Sequence, residues 1–296
     1  MDVVIAGAGS IGLLIGSYLA EAGLKVVFFV RREEQATLIR QKGISRINGD
    51  RSETVLEVDA QTDVGKLPEN ASWIISTKYE GVAPVVEVIL DRNIMNPVMF
   101  VQNGYGHFEF IRGTSMSDVF FATVEHGAGR LDDRTVSHNG VGTINIAPYR
   151  GDETSFDFMQ AVSSAVFPVA YTKDAHHIIF RKVLINCMIN PLTAILQVRN
   201  GELVRNPNAK LLFDQLYDEL MAAFPEMKND LPKTAVEGIC RRTENNRSSM
   251  LTDRENRNSM EIETVVSSVL QMGERRGVRL PLLATLEKLL LAIDRS

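Results

Sequence analysis

The 296-residue chain has only two cysteines, Cys187 and Cys240. They are too few for a disulfide framework and lack the paired spacing of a zinc site, so both read as buried free thiols. Its five histidines form no H-x-x-x-H pair or other ligand cluster, and no structural or catalytic metal is expected. Basic excess is also missing: 32 Lys and Arg stand against 37 Asp and Glu, a net charge of −5. That balance argues against nucleic acid and against an anionic membrane as partners. No apolar run of about 18 residues is evident, and no basic stretch precedes a small-residue cleavage site, so a cytoplasmic protein is expected. Linkers rich in Gly, Ser or Pro, internal repeats and low-complexity tracts are lacking too. What remains, 45% hydrophobic and 23% charged residues, is the composition of a globular protein large enough for two domains without staples.

The start, "MDVVIAGAGSIGLLIGSYLAEAGLKVVFFVRREE", reads as a strand over Val3–Ala6, a glycine turn, a helix over Ile11–Ala22 and a second strand over Lys25–Val30. Apolar strand candidates recur at 72–77, 96–102 and 118–124, with helical patterns at 33–42 and 80–91 between some of them. Such alternation predicts a parallel sheet covered by helices. Short alternating runs then surround Asn139-Gly140, a type I′ hairpin signal, so antiparallel strands are expected to finish this domain. Beyond residue 174 strand signals nearly vanish, and helical periodicity runs through 176–190, 207–224, 231–242, 259–275 and 281–294. The fold class expected is α/β: a Rossmann-type dinucleotide-binding domain over 1–173, followed by an all-α domain over 174–296.

"GAGSIG" (Gly7, Ala8, Gly9, Ser10, Ile11, Gly12) has G-x-G-x-x-G spacing between strand and helix. The first glycine allows the tight turn, the second lets backbone approach a pyrophosphate, and the third lets helix pack on strand. Alone the motif is weak, but here strand, helix and second strand sit where the mechanism requires. At the end of the second strand an Asp or Glu would accept bonds from the adenosine ribose and repel a 2′-phosphate. This chain has Arg31 there, a planar fork suited to a phosphate, with Arg32 beside it; Glu33 and Glu34 suit the start of the next helix. NADP(H) is therefore expected over NAD(H), against the plainer reading of a solvated strand end.

In "RKVLINCMIN" (181–190) Lys182, Asn186 and Asn190 recur every fourth residue on an apolar helix, drifting by only ~40° per step and so sharing a face. Either water or a ligand lies on that face. Asn is a poor helix former, which makes a merely wet face an odd choice. Pro191 should kink the helix and free a backbone carbonyl near the stripe.

With that N-terminus in place, "KVLINCMINPLTAILQVRNGEL" strongly resembles the ketopantoate reductases. Lys78 in "STKYE", "QNG" at 102–104, Asn200, and "SSMLTD" followed by Glu261 fall in the family's order. The resemblance covers nearly the whole chain. It implies NADPH-dependent reduction of 2-dehydropantoate to (R)-pantoate, a small 2-keto acid as partner, and a monomer or homodimer. By resemblance Lys182 and Glu261 are catalytic, Ser249 holds the substrate carboxylate, Lys78 lies near the cofactor, and Asn103 lies near nicotinamide and substrate. The chemistry is consistent: a desolvated ammonium gives up its proton more easily, and Asn186, Asn190 and Asn200 can hold a polar keto acid without competing for that proton.

Glu261 has a structural competitor. With Asn258 as N-cap it would occupy N3, the reciprocal position of a capping box, ahead of a buried stripe of Ile262, Val265, Val266, Val269 and Leu270. His126 reads as a structural histidine at a strand end rather than an acid. Around Glu261 the family commonly reads Thr-Glu-Ile-Asp, where this chain has Met260-Glu261-Ile262-Glu263. Two other readings therefore stay open: a related reductase of another branched 2-keto acid, and a non-catalytic NADP(H) sensor.

Overall fold

Val3-Val4-Ile5 and Val26-Val27-Phe28 are β-branched and aromatic runs, too short for helices and buried throughout, and such runs suit strands covered on both faces. In the computed structural model, which describes residues 1–294, they are neighbouring parallel strands. In chain order the strands are β1 (Asp2–Ala6), β2 (Lys25–Phe29), β3 (Ile44–Ile47), β4 (Glu53–Leu56), β5 (Asp59–Gln61), β6 (Ser72–Ile75), β7 (Val98–Phe100), β8 (Val119–Val124), β9 (Gly127–Arg130), β10 (Thr135–Gly140), β11 (Ile144–Arg150) and β12 (Val169–Tyr171). Eight of them make one sheet in the order β12-β11-β8-β7-β6-β1-β2-β5. Strand β1 pairs in parallel with β2 on one side and β6 on the other, so the winding reverses at β1. A ligand crevice opens outside the carboxyl ends of strands at such a switch point. The antiparallel finish is present as β11 against β8.

A second sheet, β4-β3-β10-β9, lies against the helix Ser10–Glu21. Its antiparallel pair β9-β10 falls where antiparallel strands were expected, but β3 and β4, of four residues each, were not anticipated. Strand β4 alternates only between exposed and half-buried, so no hydrophobic period announces it. The Asn139-Gly140 hairpin is corrected: both residues belong to β10, and neither has the positive φ that a type I′ turn demands. The turn between β9 and β10 is instead built by Asp132, whose carboxylate accepts the backbone N–H groups of Arg134 (2.8 Å) and Thr135 (2.7 Å).

The chain divides into two compact units, the first Met1–Gln102 with Phe110–Ile178, the second Asn103–Glu109 with Ile179–Ser296. The second is helical. Asn206 caps Pro207–Ala223 by accepting from the amides of Asn208 (3.0 Å) and Ala209 (3.2 Å), and Ser248 caps Ser249–Glu255 by accepting from Leu251 (3.1 Å). The expected helix over 176–190 extends as Ala175–Leu196, with Pro191 inside it. It is also apolar and long enough to cross a membrane by composition alone, correcting the absence inferred above. With 67% of its apolar window buried inside the protein, it has the burial of a core helix. Counting uninterrupted apolar residues missed it because Arg181, Lys182, Asn186 and Asn190 break the run. The single helix expected over 259–275 is instead a wide π-turn over Glu263–Ser267 leading into Ser268–Arg275.

His107, in the second unit, is fully buried, and burial lowers its pKa from 6.5 to about 3. The folded chain thus holds the ring neutral where the unfolded chain would protonate it. Its contribution is complete above pH 6.5 and is lost as pH falls from there toward 3, at up to about 1.4 kcal/mol per unit. Urea titrations at pH 7, 6 and 5 should show stability declining, and His107→Asn should flatten that decline. An equal slope in both proteins would assign the acid sensitivity elsewhere.

Candidate active site

The three motif glycines have three different environments. Gly7 sits at φ +103° with its amide on the Phe29 carbonyl (2.9 Å), and a Cβ there would lie 3.0 Å from the Thr77 amide. A Cβ on Gly12 would come within 2.2 Å of the Gly7 carbonyl oxygen and 2.4 Å of Ser76 Oγ. On Gly9 it would meet nothing within 4 Å. One glycine makes the turn, one lets the helix touch the strand, and the middle one leaves its face open. Gly9 is also the N-cap of Ser10–Glu21 and supplies no side-chain cap, so that helix starts at bare amides, a setting that favours an anion.

Two buried oxygens at the same sheet edge lack partners among the described residues: Thr77 Oγ1, just after β6, and Gln102 Oε1, just after β7. Gln102 donates through Nε2 to the carbonyls of Ile75 (2.8 Å) and Thr77 (3.1 Å). Both stand in motifs named above, Thr77 in "STKYE" and Gln102 in "QNG", but neither was assigned a role of its own, though a polar residue directly behind an apolar strand was the available signal. Ser76 Oγ donates to the Gly7 carbonyl (2.8 Å) and pins the loop. Lys78 follows, exposed, where the strand gives way to a short 3-10 turn.

Behind β2, Arg32 is bonded to Asp133 (2.6 Å), to which Arg130 also donates, and the two arginines hold the Asp133 carboxyl below its usual range. Arg31 is exposed and has neither hydrogen bond nor ion pair within the described residues. Of the pair, Arg31 is the one whose guanidinium is unengaged among the described residues. His126 is occupied differently. Tyr18 donates its hydroxyl toward His138 Nδ1 (2.8 Å), His138 Nε2 lies 3.0 Å from His126 Nδ1, and the Gly142 amide also points at that nitrogen (3.3 Å). With its ring stacked on Phe167 at 5.1 Å, His126 belongs to the packing of the first unit.

In the second unit the stripe on Ala175–Leu196 runs from half-buried to buried. Lys182 and Asn186 are half-buried and Asn190 is only 6% exposed. Asn190 donates to Ser249 Oγ (3.3 Å), joining two candidates 59 residues apart. Asn200 is buried on another segment, where its Nδ2 donates to Thr243 Oγ1 (2.9 Å) while its Oδ1 has no partner among the described residues. It makes no hydrogen bond to Asn186 or Asn190. Asn103 is half-buried on the loop that opens this unit.

The capping box at Glu261 is overturned. The helix begins at Ile262, so Glu261 is its threshold residue rather than its third. Met260 donates its amide to Asp294 Oδ1 (2.9 Å) and Ile262 donates to the Met260 carbonyl (2.8 Å), which keeps 258–261 out of the helix. Among the described residues no group of His, Cys, Asp and Glu could hold a metal ion.

A doubly wound α/β unit with a glycine loop at its switch point, followed by a helical unit, defines a dinucleotide-binding protein of two-unit architecture. Family models described as ketopantoate reductase PanE/ApbA and ketopantoate reductase PanE/ApbA C terminal match residues 3–151 and 174–294. The chain is 35% identical to the 2-dehydropantoate 2-reductase of Listeria innocua, covering 99% of this chain and 97% of that one. It is 30% identical to the enzyme of that name from Bacillus subtilis, covering 94% and 92%. Among solved structures, the probable 2-dehydropantoate 2-reductase of Bacillus subtilis superposes with a TM-score of 0.88 at 27% identity, over 99% and 100% of the two chains. The chain belongs to the ketopantoate reductase family.

Proposed function

We propose that this chain reduces 2-dehydropantoate to (R)-pantoate with NADPH, on the route to pantothenate and coenzyme A. The observation that carries the reading is the helix stripe: on an apolar helix Lys182 and Asn186 are half-buried and Asn190 is buried and bonded to Ser249, in a chain whose full-length relatives bear that enzyme's name. A solvated face would not bury an asparagine this far.

The first unit fits a nicotinamide dinucleotide. The open face of Gly9 and the uncapped amides behind it suit a pyrophosphate, Thr77 and Gln102 offer buried oxygens in need of donors, and Arg31 is free for a 2′-phosphate. The bound dihydronicotinamide supplies the hydride. Lys78 adds positive charge at the same edge, and Asn103 takes the role of orienting nicotinamide and substrate.

The rest is done by the chain's own groups. Lys182 donates a proton to the ketone oxygen as negative charge develops there, and Glu261 favours the charged ammonium. Asn186, Asn190 and Asn200 hold the hydroxyl and keto groups, Asn200 with the unpaired Oδ1 noted above, and Ser249 binds the carboxylate.

The test is NADPH oxidation with 2-dehydropantoate beside a panel of branched 2-keto acids, repeated with NADH. The expected outcome is a preference for 2-dehydropantoate and NADPH. Arg31→Ala should lower kcat/KM for NADPH by about 10- to 100-fold, the worth of a charge-assisted contact, and leave NADH nearly unchanged. Equal use of both dinucleotides by the unaltered enzyme would remove the 2′-phosphate role. Faster turnover of another 2-keto acid would point to a related reductase, and no turnover of any would favour a sensor.

A further inference from the structure

The π-turn over Glu263–Ser267 begins two residues beyond Glu261. In a π-turn one extra residue is accommodated, so the amide that would close an α-turn bonds five residues back and a carbonyl is released. Here the Ser268 amide reaches the Glu263 carbonyl. The Thr264 carbonyl is left to accept from the Tyr105 amide (2.7 Å) and from Ser268 Oγ (2.7 Å). The next carbonyl, that of Val265, accepts from Cys187 Sγ at 3.1 Å and, at 3.3 Å, from Ser268 Oγ. Cys187 is fully buried, and burial pushes its thiol pKa far up, which keeps it a donor.

The contacts from Tyr105 and Cys187 lead to segments that carry candidate site residues. Tyr105 lies two residues after Asn103. Cys187 shares its helix with Lys182, five residues or ~7.5 Å along the axis. Val265 donates its own amide to the Glu261 carbonyl (3.2 Å), so a single residue is bonded to the Glu261 segment on one side and to the Lys182 helix on the other. The approach of the Asn103 loop is close: Gly104 stands at φ +83°, and a Cβ there would lie 2.5 Å from the Thr264 carbonyl oxygen.

We propose that this π-turn is the positioning element of the catalytic unit, and that Cys187, which touches no reacting group, is a positioning residue whose bond to the Val265 carbonyl sets Glu261 in register with Lys182. The inference rests on the catalytic reading of those two residues. A regular α-turn would return the Thr264 carbonyl to the helix ladder and leave the Tyr105 amide, in the second unit's first segment, without its acceptor. Functional sites are where such turns concentrate, because irregular backbone persists only when its surroundings over-determine it. Two donors from other segments, the local Ser268 hydroxyl and one excluded Cβ over-determine this one.

The test is a set of variants of the full-length enzyme, each assayed for kcat, KM, dinucleotide affinity and the pH dependence of kcat. Cys187→Ala removes the donor and little volume. It should lower kcat about 10-fold, with NADPH affinity unchanged and the alkaline limb of the pH profile displaced, because misplacement of about an ångström near the reacting groups costs up to about 100-fold. Cys187→Ser restores an O–H donor and should recover most of kcat and the original limb. Gly104→Ala, whose methyl would press on the Thr264 carbonyl of the π-turn itself, should both raise KM for the keto acid and displace the limb. If Lys182→Ala is impaired but Cys187→Ala changes only melting temperature, with kcat and pH profile intact, the inference is overturned and the thiol is packing alone. Should Lys182→Ala itself keep full kcat, the catalytic reading falls and this inference with it. Failure of Cys187→Ser to recover activity would also count against a hydrogen-bonding role.

Discussion

Replacing Lys182 with alanine should lower kcat by about 10²- to 10⁴-fold, the usual range for a general acid, while dinucleotide affinity stays near its starting value. Hydride delivery to a ketone leaves the electron pair on oxygen, and the interaction with a cation there strengthens only as the charge develops, so its loss appears in kcat more than in KM. On the stripe of Ala175–Leu196 the other polar groups, Asn186 and Asn190, are neutral and have no proton of comparable acidity to give. Lys182 is held half-buried on that helix, where water is a poor substitute donor. In the unaltered enzyme kcat should fall at high pH as the ammonium deprotonates, and the variant should lose that limb. A Lys182→Ala enzyme with near-normal kcat and the same alkaline limb would mean another group supplies the proton. His126 would not be the natural replacement, since His138 and the Gly142 amide already engage its Nδ1 within the first unit.

How far the site could be read from residues alone depends on how local its causes are. The stripe was legible because helical period is a local property: four-residue spacing places side chains on one face whatever the surroundings. The glycine loop was legible for the same reason, and the helix over Glu33–Lys42 appeared within the limits expected from its period. The failures share the opposite feature. The Asn258–Glu261 spacing imitates a capping box, but Asp294, 34 residues later, takes the Met260 amide and holds the segment out of the helix. The π-turn needs donors from Tyr105 and Cys187, far off in sequence, so no window over 259–275 could reveal it. Asn139-Gly140 is a turn signal by intrinsic preference, yet pairing with β9 keeps it extended. The strands β3 and β4 escaped because their stability comes from a neighbour, the helix Ser10–Glu21, rather than from an alternating pattern of their own.

The glycine loop allows the second large prediction, which sets two alanines against each other. At Gly12 the added methyl would meet the Gly7 carbonyl oxygen at 2.2 Å and Ser76 Oγ at 2.4 Å. Neither can give way cheaply. Gly7 is fixed at φ +103° with its amide on Phe29, and Ser76 Oγ is held by its bond to that same Gly7 carbonyl. The helix Ser10–Glu21 must therefore move off the sheet, so Gly12→Ala should destabilise the protein by about 1–3 kcal/mol, the usual cost of overpacking, and weaken dinucleotide binding about 100-fold or more as the helix amides leave their place. At Gly9 the backbone, φ −83° and ψ −172°, suits any residue, and the methyl meets nothing within 4 Å. Gly9→Ala should then keep its melting temperature and still lose dinucleotide affinity, by about 10-fold or more, because the methyl fills the space through which a pyrophosphate approaches backbone. Thermal melts and NADPH titrations of both variants separate the two effects. Unaltered NADPH affinity in Gly9→Ala would show that the pyrophosphate does not lie against the open face of Gly9, and the placement of the cofactor on this loop would have to be abandoned even if Gly12→Ala behaved as expected.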